Sequence, residues 1–107
     1  MSGFDRRREG YESKFALDEE QKFKAVMRRN KLVGLWAAGH LGLAGTAADE
    51  YAVSVAKADL QEAGDGDIIR KIGGAFAGRG IKIGDDVIRA ELDKRWHEVA
   101  QQVLGHA

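Results

Sequence analysis

The pattern of apolar and polar residues divides the chain into four amphipathic segments, each typical of a helix. The first is predicted from about Leu17 to His40: acidic residues at 18–20 suit the start of a helix, and the glycines of "HLGLAG" suit its end. Apolar residues recur at spacings of three to five and predict a buried stripe. Its members are Phe23, Met27, Leu32, Leu35, Trp36, Gly39 and Leu43.

The second segment is predicted to begin at Thr46, an N-cap residue with Asp49 three positions later. It is predicted to end near Ala63, where "EAGDGD" interrupts the pattern. Apolar residues at helical spacing form its predicted buried face, namely Ala48, Tyr51, Ala52 and Val55.

Two further helices follow. The third is capped by Asp65 or Asp67, carries a buried face of Ile68, Ile69, Ile72 and Phe76, and is weakened by Gly73 and Gly74. The fourth opens at Asp85 and has the most regular stripe of the chain, at steps of four, four, three and four. The members of this stripe are Ile88, Leu92, Trp96, Val99 and Val103. Both tryptophans are therefore predicted to be core residues, and "IKI" at 81–83 is predicted to be a loop.

Four apolar stripes joined by short links predict an all-α protein, a four-helix bundle. The predicted bundle spans residues 18–107, and residues 1–17 form a flexible N-terminal segment. A length of 107 residues suits one domain with its own core. The longest uncharged stretch, residues 32–48, falls short of the ~20 apolar residues that a membrane span requires. No secretory signal pattern follows Met1, so we expect a protein that is not inserted into a membrane.

The composition excludes some kinds of chemical site. The chain has no cysteine, which excludes disulfides, thiolate metal sites and cysteine nucleophiles. The formal net charge is zero, but residues 1–35 carry nine Lys/Arg against six Asp/Glu, so the N-terminal third is mildly basic.

No motif indicates an enzyme, a metal site or a cofactor. "GGAFAGRG" at 73–80 resembles a phosphate-binding loop in its glycine spacing, but it lacks the lysine, the hydroxyl and the preceding strand. A helix end that leads into a loop is the favoured interpretation. "DGD" at 65–67 lacks the remaining ligands of a calcium loop, and the three histidines are scattered.

The N-terminal stretch "FDRRREGYESKF" is unusual, because it holds three of the eight aromatic residues of the chain. Drawn as a helix, Phe4, Tyr11 and Phe15 are seven and four residues apart and share one face. Rings on one face with charges around them suit a segment that folds when it binds in a groove. The alternative is that the rings pack back onto the bundle.

The stretch "KFKAVMRRNKLVGLW" at 22–36 is basic and amphipathic. A solvated helix face explains it, and so does a basic surface that binds an acidic partner. A small helical bundle that binds nucleic acid is the alternative function, although nucleic acid is disfavoured because the basic residues are interleaved with acids.

The stretch from Phe4 to Leu43 resembles the alphaproteobacterial ATP synthase inhibitor subunit zeta family, and a weaker resemblance covers nearly the whole chain. The contiguous "RRNKLVGLWAA" is its most specific part. The resemblance implies a regulatory four-helix bundle whose N-terminal helix enters a catalytic-subunit interface of the ATP synthase head and blocks ATP hydrolysis.

The resemblance also implies the partners and the contact residues. The partners would be the alpha, beta and gamma subunits of the head, with the protein monomeric when free and located in the cytoplasm at the inner face of the plasma membrane. The inhibitory segment would contact them through Phe4, Arg7, Arg8, Tyr11, Lys14 and Phe15. Secondary partner contacts would come from Lys22, Arg28 and Arg29. The chain departs from the family at Leu17, where members usually have histidine, and in "GGAFAGRG".

Overall fold

A computed structural model describes residues 19–58 and 64–104 of the protein. These ranges contain four α-helices and no strand: α1 (Glu19–His40), α2 (Gly45–Ala58), α3 (Gly66–Gly78) and α4 (Asp85–Leu104). The predicted all-α four-helix bundle is confirmed, and "IKI" is a loop. The predicted N-terminal segment and the predicted end of the second helix at Ala63 lie outside the described residues.

The helices pack around one apolar core. Each helix contacts the next along the chain, α4 closes against α1, and α2 and α4 do not contact each other within the described ranges. α1 also reaches α3 across the bundle. The main buried cluster consists of Val33, Ala37, Leu41, Val55, Ile68, Ile69, Ile72, Phe76, Ile88 and Leu92.

The predicted stripe of α1 is wrong at three of its seven members, and the other four are half-buried. Phe23 and Leu35 are 53% and 40% exposed, and Gly39 is exposed as well. The buried face consists instead of Ala25, Asn30, Val33, Gly34, Ala37 and Ala38. Most of these residues are small, so α1 is buried by close approach of neighbouring helices rather than by insertion of large side chains.

Gly34 marks the closest approach between α1 and α2. A Cβ atom added at Gly34 would lie 2.7 Å from the Cα atom of Ala52. Real Cβ atoms do not come that close to backbone, so any side chain at this position would push the two helices apart. The glycine in "GLWAA" is therefore required by packing.

α1 and α3 end in the same way. After α1, Leu43 N–H donates to Ala38 O at 2.9 Å, and Gly42 has a positive φ of 80°. After α3, Ile81 N–H donates to Phe76 O at 2.8 Å, and Gly80 has a φ of 71°. This is the Schellman pattern, in which a left-handed glycine ends the helix and the next apolar side chain packs back. Leu43 and Ile81 both pack against the core.

The predicted faces of the other helices are largely confirmed. Ile68, Ile69, Ile72 and Phe76 are all at most 4% exposed, and Ile88, Leu92 and Val99 are buried on α4. α4 begins at Asp85 as predicted. α2 begins at Gly45, one residue before the predicted cap Thr46.

The prediction that both tryptophans are core residues is wrong. Trp36 is half-buried and packs edge-to-face on Phe76, with ring centroids 5.7 Å apart. Trp96 is half-buried and lines a groove on the bundle surface. Trp36 thus covers the core from outside.

Candidate functional site

The six residues predicted to form the inhibitory segment lie outside the described residues. They are Phe4, Arg7, Arg8, Tyr11, Lys14 and Phe15. The chain that carries them leads into α1, which the structure describes from Glu19 onwards. The candidate site described below is therefore the part of the bundle that follows the segment in the chain, beginning with α1.

The first half of α1, Glu19–Arg28, is held only lightly by the bundle. Ala25 is its buried residue, at 2% exposure, and Val26 and Met27 are half-buried. Phe23 is 53% exposed. This half of α1 therefore presents most of its side chains to solvent.

The three predicted secondary contacts do not share one environment. Lys22 and Arg28 are exposed. Arg29 instead points into the bundle: its side chain is 12% exposed, and its Nη2 donates to Asp65 Oδ1 at 2.9 Å. Its Nε donates to Asn30 Oδ1, also at 2.9 Å. Arg29 thus ties α1 to the start of α3.

Asp65 was one of two residues expected to cap α3, the other being Asp67, and in the structure its side chain bonds to α1 instead. It occupies the N-cap position, but its side chain makes no capping hydrogen bond. Its carboxylate accepts from Arg29, which is 36 residues earlier in the chain. The guanidinium of Arg29 has two acceptors, Asp65 Oδ1 and Asn30 Oδ1, which hold it in a fixed orientation. The ion pair between Arg29 and Asp65 therefore fixes the corner where α1, α3 and α4 meet.

A groove of about 260 Å³ lies at this corner. Its lining residues are Arg29, Asp65, Arg89, Leu92, Asp93 and Trp96. Two arginines and two aspartates give it both signs of charge, and the indole of Trp96 and the side chain of Leu92 supply its apolar part. Because the lining carries both signs of charge, it favours neither an anionic nor a cationic cofactor.

The glycine-rich stretch 73–80 is the end of a helix, as the favoured interpretation held. Gly73 and Gly74 lie within α3, and Arg79 follows its last residue. The guanidinium Nη1 of Arg79 donates to the carbonyl of Leu41 at 2.9 Å. Arg79 therefore braces the ends of α1 and α3 against each other and is not arranged around a phosphate.

The second acidic residue of "DGD" is also used within the bundle. Asp67 lies in the first turn of α3 and pairs with Arg70, one turn later. Across residues 19–58 and 64–104, no group of three or more His, Asp or Glu side chains is placed to hold a metal ion. None of the four described helices has the length and apolar character needed to cross a bilayer.

Tyr51 of α2 is partly buried against the core, and its ring lies near Lys71 of α3. Burial raises the pKa of its phenol above the usual value, and the hydroxyl is buried without a hydrogen-bond partner among the described residues. Lys71 Nζ lies 5.5 Å from the centroid of the ring. The ring of Tyr51 packs against the core.

Comparison with known proteins identifies the family. The family model described as ATPase inhibitor subunit zeta matches residues 1–102. The chain belongs to the ATPase inhibitor subunit zeta family. This confirms the resemblance carried by "RRNKLVGLWAA" and makes the protein a regulatory one that interacts with, and inhibits, the ATP synthase.

A solved structure supports the same fold. The chain is similar to a protein whose solution NMR structure is known, with 40% sequence identity and a TM-score of 0.69. The match covers 80% of this chain and 98% of that chain. Among curated proteins, none matches the chain.

One feature of this site was missed by the sequence analysis. The partner of Arg29 is Asp65, and nothing in the local sequence links residues so far apart. The solvated face expected for the stretch 22–36 is exposed at Lys22, Lys24, Arg28 and Lys31. Arg29, which was expected on the same face, is the exception.

Proposed function

We propose that residues 1–17 dock as a helix into a catalytic-subunit interface of the ATP synthase head and stop ATP hydrolysis there. The alpha, beta and gamma subunits are the proposed contacts. The bundle performs no chemistry in this proposal and needs no cofactor. It carries the segment and sets how the segment enters the groove.

The observation that carries the proposal is the extent of the family match, which begins at residue 1 and so includes the segment. The half of α1 that follows the segment in the chain presents most of its side chains to solvent. Among the described residues, the main buried cluster lies between Val33 and Leu92. A segment that belongs to the family and leads into an exposed stretch of helix is the natural candidate for partner binding.

The chemistry of the segment suits a groove. Phe4, Tyr11 and Phe15 share a helix face, and each large ring buried at an interface contributes ~1.5–3 kcal/mol. Arg7, Arg8 and Lys14 lie between the rings and would form a polar rim. Aromatic and arginine residues are those that most often dominate binding energy.

The proposed secondary contacts follow from exposure. Lys22 and Arg28 are exposed on the first half of α1, which follows the segment in the chain, and are available to the head. Arg29 is held by Asp65, so a direct contact from it would first require that ion pair to open. Its proposed contribution is therefore the smallest of the three.

We place the protein at the cytoplasmic face of the membrane through its attachment to the ATP synthase, and we expect it to be a monomer when free. This location follows from the proposed partner, because the inhibited ATP hydrolysis takes place in the ATP synthase head.

The proposal is tested by ring truncation. Phe4→Ala, Tyr11→Ala and Phe15→Ala should each weaken inhibition of ATP hydrolysis by the isolated head roughly 10- to 150-fold, the equivalent of one buried ring. The melting temperature of each variant should match that of the parent protein. Glu12→Ala, a change between the rings, is the matched control and should have a small, salt-dependent effect.

Two outcomes would overturn the proposal. If all three ring variants inhibit like the parent protein, the segment is not the inhibitory element. If they lose inhibition and melting temperature together, the rings belong to the bundle core instead.

A further inference from the structure

The outer face of α1 carries a row of cations that the inhibitory segment does not include. Lys24, Arg28 and Lys31 are spaced by four and three residues, and all three are exposed. In a helix this spacing places side chains on one face. We refer to these three residues as the α1 basic stripe. Leu35 continues the same face four residues later and is 40% exposed.

The bundle does not use this face. The buried side chains of α1 lie on the opposite side, on a row that includes Asn30, Val33 and Ala37. Lys24 forms an ion pair with Glu20 at 3.2 Å, but the two side chains are 71% and 75% exposed. A pair that exposed contributes little and exchanges readily for another partner.

Arg29 shows what a structural cation looks like in the same helix. It is turned about 100° from Arg28, because successive residues of an α-helix differ by that angle. Arg29 is 12% exposed and bonded to Asp65. The structure therefore separates the basic residues of this stretch into one that holds the fold and a stripe that faces outward.

The position of the stripe limits what it can contact. Lys24 lies five residues after Glu19, which is about 8 Å along the helix axis. When the preceding segment occupies a groove, the stripe is held next to the mouth of that groove. From Lys24 to Lys31 the stripe extends about 10 Å. This length is comparable to the Debye length at 0.1 M salt, so the three cations act together on a nearby charged surface.

We propose that the α1 basic stripe binds an acidic surface of the ATP synthase head at the mouth of the groove that receives residues 1–17. The inference rests on the proposed function and adds a second contact to it. It adds Lys24 and Lys31 to Arg28, which is already one of the proposed secondary contacts. The stripe steers the protein towards the head and aligns α1, whereas the rings hold the complex.

The same stripe is too small for nucleic acid. Sites on duplex DNA commonly engage about six to ten phosphates, and the stripe offers three cations. Residues 36–107 carry eight Lys/Arg against eleven Asp/Glu, so the rest of the bundle would repel a polyanion. A compact acidic patch on a protein matches the stripe better.

The experiment uses the full chain with Lys24→Gln, Arg28→Gln and Lys31→Gln combined. Glutamine keeps helix propensity and removes the charge. The concentration needed for half-maximal inhibition of the isolated head should rise about tenfold at low salt, with slower onset and unchanged maximal inhibition. The difference from the parent protein should shrink as salt is added.

The matched control removes three exposed lysines elsewhere on the bundle, Lys57→Gln, Lys82→Gln and Lys94→Gln. It has the same change in net charge and should alter inhibition less than the stripe variant. Melting curves of both variants should match the parent protein, because all six positions are exposed.

Three results would overturn the inference. The first is a stripe variant that inhibits like the control variant; the proposed function still stands in that case if the ring variants fail to inhibit. The second is a parent protein that does not inhibit at all, which removes both. The third is a parent protein that binds duplex DNA through the stripe, with binding lost in the stripe variant while inhibition is unchanged.

Discussion

The two halves of α1 differ in what they bury, although they form one continuous helix. In Glu19–Arg28, Ala25 is the buried residue, and a phenylalanine ring stands exposed at position 23. From Asn30 onwards the helix buries a residue at nearly every turn, including Gly34 against α2. The first half is mostly exposed to solvent, as a binding surface would be. The second half packs against the core of the bundle.

Under the proposed function, the two halves of α1 have different roles. α1 as a whole contacts the other three helices, and its second half supplies Val33 and Ala37 to the main buried cluster. The first half continues the same helix back to Glu19. In the proposed complex, this continuous helix would reduce the number of orientations available to residues 1–17, which lowers the entropic cost of docking.

The largest expected effect comes from a pair of identical substitutions placed in the core and on the first half of α1. Phe76 is fully buried, and Phe23 is 53% exposed. Phe76→Ala should lower the free energy of unfolding by ~3–5 kcal/mol, the usual range for a core aromatic residue. Phe23→Ala should change it by no more than ~0.5 kcal/mol.

Urea unfolding followed by circular dichroism measures both values. Similar costs for the two variants would mean that the first half of α1 is part of the core, and the distinction between the two halves would be lost.

A smaller effect is expected from two glycines on α1. A Cβ at Gly34 would lie 2.7 Å from the Cα atom of Ala52, whereas a Cβ at Gly39 meets nothing within 4 Å. Gly34→Ala should destabilise by ~1–3 kcal/mol through overpacking. Gly39→Ala is the matched control and should stabilise by up to ~1 kcal/mol, because alanine favours the helix.

The two melting temperatures should therefore move in opposite directions from the parent value. If Gly34→Ala also raises the melting temperature, the close approach of α1 and α2 does not limit the fold.

Much of the fold could be predicted from local signals. The ends of α1 and α3 follow from left-handed glycines, and α4 opens at its acidic residues. Ile68, Ile72 and Phe76 were predicted correctly because large apolar residues at strict helical spacing have one obvious face. Such signals depend only on residues close in sequence.

The face of α1 could not be predicted in that way. Hydrophobic periodicity gives weight to large residues, and here Gly34, Ala37 and Ala38 are buried while Leu35 is exposed. The small size of the buried residues is what lets the helices approach, a property of the pair of helices rather than of one sequence window. For the same reason, the bond between Arg29 and Asp65 required the folded structure.

The separation of folding from inhibition is tested most directly by a protein that lacks residues 1–17. Its melting curve should remain cooperative, with a midpoint within a few degrees of the full-length protein, because the main buried cluster of the described residues lies between Val33 and Leu92. Its inhibition of ATP hydrolysis by the isolated head should be lost. A truncated protein that melts without cooperativity, or one that inhibits as well as the full chain, would contradict the account.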